Sequence, residues 1–139
     1  VSPDAGAYKK IFDVAKEFDI QNVVTANKVR DLKTGKILST EIPNLPGSTG
    51  DTDSANDGMK YVIIDDICDG GRTFIELAKA IKKERISAKI YLVVTHGIFS
   101  AGFKELSQYF ERIYTTNSYR DVPTNESGEE TKTTTFNIF

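Results

Sequence analysis

The chain is predicted to be an α/β protein, with a mostly parallel twisted sheet flanked by helices. Three observations predict it. Short β-prone runs alternate with helical periodicities along the 139 residues, the pattern of strands joined by crossover helices. Residues 61–64, Tyr-Val-Ile-Ile, form a continuous apolar run that suits a strand buried on both faces. That run leads into two adjacent carboxylates, Asp65 and Asp66, then a glycine-containing turn and a helical pattern from Thr73. Ligands of open α/β sheets bind at such carboxyl ends of strands.

Taken in order, Val1 and Ser2 read as the tail of a strand. Pro3 and Asp4 precede a helix in which Tyr8, Ile11, Phe12, Ala15 and Phe18 recur on one face, with Lys9, Lys10, Lys16 and Glu17 mostly opposite. Residues 22–26 are a short β-prone run. Residues 28–58 are the least regular part, with a hairpin expected to turn at Lys33-Thr34-Gly35 and a mobile loop expected within residues 31–58, which include the polar run 51–57. After the strand at 61–64 comes a helix with Phe74, Leu77, Ala78 and Ile81 inward and Lys82, Lys83 and Arg85 near its C-terminus, where the helix dipole favours cations. Residues 89–94 form a strand ending at Thr95-His96-Gly97. Ser100 is placed to cap a short helix with Phe103, Leu106 and Phe110 inward. Residues 112–115 and 133–138 are further strands, separated by the polar stretch 117–130. A doubly wound arrangement is the expected topology.

Size and composition suit one domain over residues 1–139, long enough to bury a core. Hydrophobic residues make up 39% and charged residues 27%, and the net charge of −2 gives no reason to expect nucleic acid or an anionic membrane as partner. No apolar stretch approaches the ~20 residues that span a bilayer. The single cysteine, Cys68, excludes an internal disulfide and fits a reducing cytoplasm. The chain opens on Val-Ser-Pro-Asp rather than Met, and a piece of a longer protein is expected.

Residues 61–73, Tyr-Val-Ile-Ile-Asp-Asp-Ile-Cys-Asp-Gly-Gly-Arg-Thr, carry the chemistry. Carboxylates at a strand end hold hydroxyls or a cation. A following turn presents free backbone N–H groups and a helix N-terminus, a natural seat for a phosphate. Together they describe a site for a phosphorylated sugar. The segment resembles the phosphoribosyl-diphosphate (PRPP) motif of type I phosphoribosyltransferases and PRPP synthetases. That resemblance implies a type I phosphoribosyltransferase-like fold, with Asp65 and Asp66 on the ribose hydroxyls and Asp69, Gly70, Gly71, Arg72 and Thr73 around the 5-phosphate. This chain departs from the family in having Gly70 after the loop's Asp and Arg72 before its Thr. One hydroxyl donor is lost and a cation is gained.

Other segments carry the same resemblance to PRPP synthetases, also called ribose-phosphate diphosphokinases. Residues 1–7, Val-Ser-Pro-Asp-Ala-Gly-Ala, are similar to the opening of their C-terminal domain, which implies Asp4 near a Mg²⁺ ion. Capping of the first helix is a compatible role for Asp4. Residues 25–30, Thr-Ala-Asn-Lys-Val-Arg, fall where those enzymes carry a Lys-x-Arg pair, which assigns Lys28 and Arg30 to the transferring phosphates. Strand alternation would put both on one side, although two solvated cations are the commoner fate of such a pair. Residues 93–100, Val-Val-Thr-His-Gly-Ile-Phe-Ser, are similar to a segment that follows the motif in synthetases and is generally lacking from transferases. His96 reads as structural, hydrogen-bonded at a strand end, and Cys68 as packing, since carboxylate neighbours do not lower a thiol pKa.

The resemblance thus implies a ribose-phosphate diphosphokinase domain that binds ribose 5-phosphate and PRPP, uses ATP with Mg²⁺ through an N-terminal half outside this sequence, and assembles into a homo-oligomer. The fragment alone is not expected to complete the reaction. Two alternatives remain at this level: a phosphoribosyltransferase that consumes PRPP, and a non-catalytic PRPP-binding regulatory module.

Overall fold

The computed structural model describes residues 1–35, 37–43, 45, 59–122 and 133–138. The polar run 51–57 and most of the polar stretch after residue 122 lie outside them, as does the larger part of the loop expected within 31–58. Among the described residues nine elements follow one another: α1 (Tyr8–Glu17), β1 (Asn27–Arg30), β2 (Ile37–Glu41), β3 (Lys60–Cys68), α2 (Arg72–Glu84), β4 (Lys89–Gly97), α3 (Leu106–Tyr109), β5 (Arg112–Thr116) and β6 (Thr133–Phe136).

The strands β3, β4, β5 and β6 form a parallel sheet in that order. One row across it, Ile63, Leu92, Ile113 and Thr133, shows what holds it together. All four are buried, and Ile63, Leu92 and Ile113 meet Phe74, Leu77, Ala78 and Ile81 of α2 in the main core. Burying an Ile or Leu side chain contributes about 1.5–3 kcal/mol, so this layer dominates the fold. The inward face predicted for α2 is the observed one.

The neighbouring row, Ile64, Val93, Tyr114 and Thr134, is only half-buried, and Val62 is 36% exposed. The expectation that β3 is buried on both faces is therefore corrected. Among the described residues the second face is covered by α1 at the β3 end, where Ile11, Val14 and Ala15 line a cleft of about 360 Å³ with Val62 and Ile64. The covering of a strand is supplied by distant segments, so a strand's own composition does not reveal it. For the same reason the apolar stripe of α1 is only partly used: Ile11 and Ala15 are buried, whereas Tyr8, Phe12 and Phe18 are exposed.

The chain leaves the centre of the sheet in both directions. Ser2 bridges Thr25 in parallel, through Ser2 N–H to Val24 O (2.7 Å) and Ala26 N–H to Ser2 O (3.0 Å). On its other side the Val1 amino group donates to Val62 O of β3 (2.6 Å). Residues 1–2 thus lie between residue 25 and β3, and the order of sheet segments reverses there. That reversal is a topological switch point, as the doubly wound expectation requires.

The β1–β2 hairpin stands apart as a two-stranded antiparallel ribbon. Its turn is built as expected: Asp31 Oδ1 accepts from Lys33 N–H (2.9 Å) and Thr34 N–H (2.7 Å), and Gly35 takes a left-handed φ of 68°. These bonds hold the Asp31 carboxyl below its usual range, with the Thr34 backbone N–H the largest cause.

Candidate functional site

The pairing of β3 with β4 continues through Cys68↔Gly97, so β3 runs on past residue 64 and Asp65 sits within its C-terminal end. Beside it, at the switch point, opens a cleft of about 420 Å³. Asp4, Lys28, Asp65, Ile67 and Asp69 line one part of it, and Gly70, Gly71, Arg72, Thr73 and Phe74 the other. Eight of the residues singled out in the sequence come together here.

The anion-seeking part is the start of α2. Gly71 precedes the helix at φ 79°, and a Cβ there would lie 3.0 Å from Leu106 Cδ2, so both conformation and space favour glycine. No side chain caps the helix. The Phe74 and Ile75 N–H groups bond Gly71 O (3.0 Å each), which leaves the N–H groups of Arg72 and Thr73 to face a ligand, with the positive end of the helix dipole behind them. Arg72 is exposed on the cleft and makes no ion pair among the described residues.

The carboxylate part starts with Asp65, whose Oδ1 accepts the Asp66 N–H (2.8 Å), leaving its other oxygen for a hydroxyl. Asp4 faces it across the switch point. Asp4 Oδ1 accepts the Ala7 N–H (3.0 Å), the capping-type bond expected of it, although it closes the turn ahead of α1 rather than the helix itself. Asp4 Oδ2 pairs with Lys28 Nζ at 3.3 Å. Partial burial pushes the Asp4 carboxyl up, but the Ala7 N–H and Lys28 outweigh this and hold it below its usual range. The pair brings together the residue assigned to a metal and one assigned to transferring phosphates.

Two predicted residues are placed differently. Asp66, next along β3, does not line the cleft and is ion-paired with Lys10 of α1. Arg30 is also absent from the lining; its Nη1 donates to Gly35 O at 3.2 Å. The pairing of β1 with β2 shifts register between Val29 and Arg30, with Leu38 of β2 the additional residue, so β2 bends opposite Arg30. A bulge of this kind has no local sequence signal here. Ile67, Phe74 and the Lys10 partner of Asp66 were not foreseen as parts of the site.

Cys68 is fully buried, and its thiol is pushed up to about 12 by desolvation first and then by Asp69 and Asp65, as its packing role requires. His96 is hydrogen-bonded at the end of β4, as expected: its Nδ1 lies 2.7 Å from Ser118 Oγ. Thr116 Oγ1 and Ser118 Oγ both donate to Thr95 O (2.6 and 3.0 Å), which leaves Ser118 to accept from the His96 ring N–H. Ser100 is not the cap of α3, which begins six residues later at Leu106. Instead the segment after β4 braces the phosphate-type loop. Ile98 and Phe99 N–H donate to Cys68 O (2.9 and 3.1 Å), and Ser100 N–H to Asp69 O (3.2 Å).

No family model matches the chain. Curated relatives do. A ribose-phosphate pyrophosphokinase of Hyphomonas neptunium is 30% identical over 105 residues, 76% of this chain and 30% of that protein. One of Mycoplasmopsis pulmonis is 37% identical over 83 residues, 58% of this chain and 24% of that protein. One of Thermosipho africanus is 31% identical over 120 residues, 85% of this chain and 34% of that protein. The chain thus spans about a third or less of the length of these relatives. In fold it matches the crystal structure of phosphoribosylpyrophosphate synthetase from Mycobacterium smegmatis with a TM-score of 0.70 at 18% identity, over 99% of this chain and 39% of that one. With the parallel sheet and the relatives in agreement, the chain is a phosphoribosylpyrophosphate-synthetase-like domain.

Proposed function

We propose that the chain is the C-terminal, ribose 5-phosphate-binding half of a ribose-phosphate diphosphokinase. The reaction moves the β,γ-diphosphoryl group of ATP to the 1-hydroxyl of ribose 5-phosphate, giving PRPP and AMP. The observation that carries the reading is the cleft at the switch point, where Asp65 and Asp69 stand beside Arg72 and the open first turn of α2. Asp65 holds the ribose hydroxyls, joined by Asp66 when it exchanges Lys10 for substrate. Asp69, Gly70, Gly71, Arg72 and Thr73 take the 5-phosphate. Lys28 neutralises the transferring group, and Arg30 joins it by releasing the Gly35 carbonyl. Positioning and fixed charge supply the rate, with no covalent intermediate.

Among the described residues no three of His, Cys, Asp and Glu gather as a metal cage. One carboxylate, Asp4, suits a Mg²⁺ ion held mainly by substrate phosphates and water. Bound there, Mg²⁺ would offset charge on the non-bridging phosphate oxygens. Much of the ATP site belongs to the part of the enzyme outside this chain. The reading also sets the enzyme in the cytoplasm as a homo-oligomer. No described helix is long and apolar enough to cross a membrane.

Phosphorus NMR of the full-length protein with ribose 5-phosphate, ATP and Mg²⁺ tests the reading. AMP should appear together with the diphosphate signals of PRPP. No turnover, with added PRPP consumed when nucleobases are supplied, would move the protein to the transferases. Bound PRPP with no reaction of either kind would make it a regulatory module.

A further inference from the structure

The phosphate-type loop lacks a side-chain hydroxyl at position 70, and another hydroxyl stands beside that gap. A Cβ built on Gly70 meets Ser100 Oγ at 3.9 Å and nothing nearer. A γ-hydroxyl on residue 70, one bond further out, would come within hydrogen-bonding range of Ser100 Oγ. Ser100 is held in that place by the three N–H bonds from residues 98–100 to Cys68 O and Asp69 O. Behind it Phe99 is 2% exposed, in a left-handed backbone at φ 49° with its ring 4.6 Å from that of Phe103. A bulky residue in that conformation persists only where its surroundings over-determine it. The segment that carries Ser100 is therefore rigidly tied to the loop.

The Ser100 side chain itself is uncommitted. It is exposed, caps no helix, and makes no hydrogen bond with its hydroxyl among the described residues. It lies just outside the lining of the cleft, against Gly70.

We propose that Ser100 supplies the hydroxyl that the phosphate cradle lacks at position 70, donating its O–H to an oxygen of the 5-phosphate seated on residues 70–73. Glycine at 70 leaves the room through which the Ser100 hydroxyl reaches the ligand, and the brace sets its distance. The inference rests on the reading of the cleft as a ribose 5-phosphate site. It assigns to Ser100 a contact with the phosphate and none with the sugar.

Calorimetric titration of the protein with ribose 5-phosphate, and separately with inorganic phosphate, provides the test. A hydrogen bond to a charged group is worth about 1.5–3 kcal/mol, so Ser100→Ala should weaken both ligands about tenfold or more, with the melting temperature unchanged. Ser100→Thr, which keeps the hydroxyl, should bind like wild type. Gly70 is outside the left-handed region, so Gly70→Thr is sterically allowed. Placed on Ser100→Ala, it should restore most of the lost affinity. Wild-type affinity in Ser100→Ala overturns the inference and leaves the cleft reading standing, as does a loss that neither Ser100→Thr spares nor Gly70→Thr restores. Absence of ribose 5-phosphate binding by the wild-type protein overturns the cleft reading, and this inference with it.

Discussion

Gly97→Ala should destabilise the protein and loosen its phosphate-type loop, because the position has no room for a single methyl group. A Cβ there would lie 2.2 Å from Phe99 Cε2 and 2.6 Å from Thr115 Oγ1. Carbon atoms in contact normally stand about 3.5–4.0 Å apart, so the Phe99 ring must retreat by more than an ångström and Thr115 Oγ1 by somewhat less. Neither can do so freely: Phe99 is 2% exposed and Thr115 1%. Overpacking of this kind costs about 1–3 kcal/mol, and this clash belongs at the top of that range. Alanine recovers up to about 1 kcal/mol by restricting the unfolded chain. The net loss is then about 2 kcal/mol, seen as a fall of about 1 M in the urea midpoint at unchanged slope. Since Phe99 N–H holds Cys68 O, displacing Phe99 should also weaken ribose 5-phosphate binding. A wild-type midpoint would show that the residue 97–99 corner yields easily, and would refute the claim that it braces the loop.

Asp65→Asn should weaken ribose 5-phosphate binding by at least several-fold in calorimetry, and Asp66→Asn by less, because only Asp65 lines the cleft; equal losses would mean that both carboxylates face the sugar. Gly71→Ala should cost about 1–2 kcal/mol in urea unfolding, combining a left-handed backbone with a 3.0 Å approach to Leu106. The Asp4 carboxyl is held low in the folded state, so its contribution is present above its unfolded pKa and lost as pH falls through the folded one. Asp4→Asn should therefore reduce stability at neutral pH and flatten the acid limb of the stability curve. Cys68 should resist a thiol reagent at pH 8 in the native protein and react promptly in denaturant, since its buried thiol is raised to about 12.

The features legible in the sequence are those that local pattern controls. The inward stripe of α2, the alternation of strands and helices, the Asp31–Gly35 turn and the assembly of Asp65 with the loop all follow from spacing and residue type. What escaped depends on partners remote in sequence. β3 runs to Cys68 because β4 continues to pair with it, and a run of four apolar residues cannot announce that. The half-covered second face, the bulge opposite Arg30 and the Lys10 partner of Asp66 are likewise set by segments tens of residues away or across a hairpin. Ser100 carried a plausible local signal for capping, and the late start of α3 shows why it misled: residues 98–100 are instead committed to the loop carbonyls.

The central claim is that the cleft holds the phosphate of a phosphorylated sugar at the start of α2. An amide-resolved NMR titration of the 139-residue protein with ribose 5-phosphate tests it most directly. The account predicts the largest shifts at the N–H groups of residues 69–73, smaller ones at Asp65 and Asp66, and none on the outer face of α1. Saturable shifts centred elsewhere, or none at millimolar ligand, would contradict it.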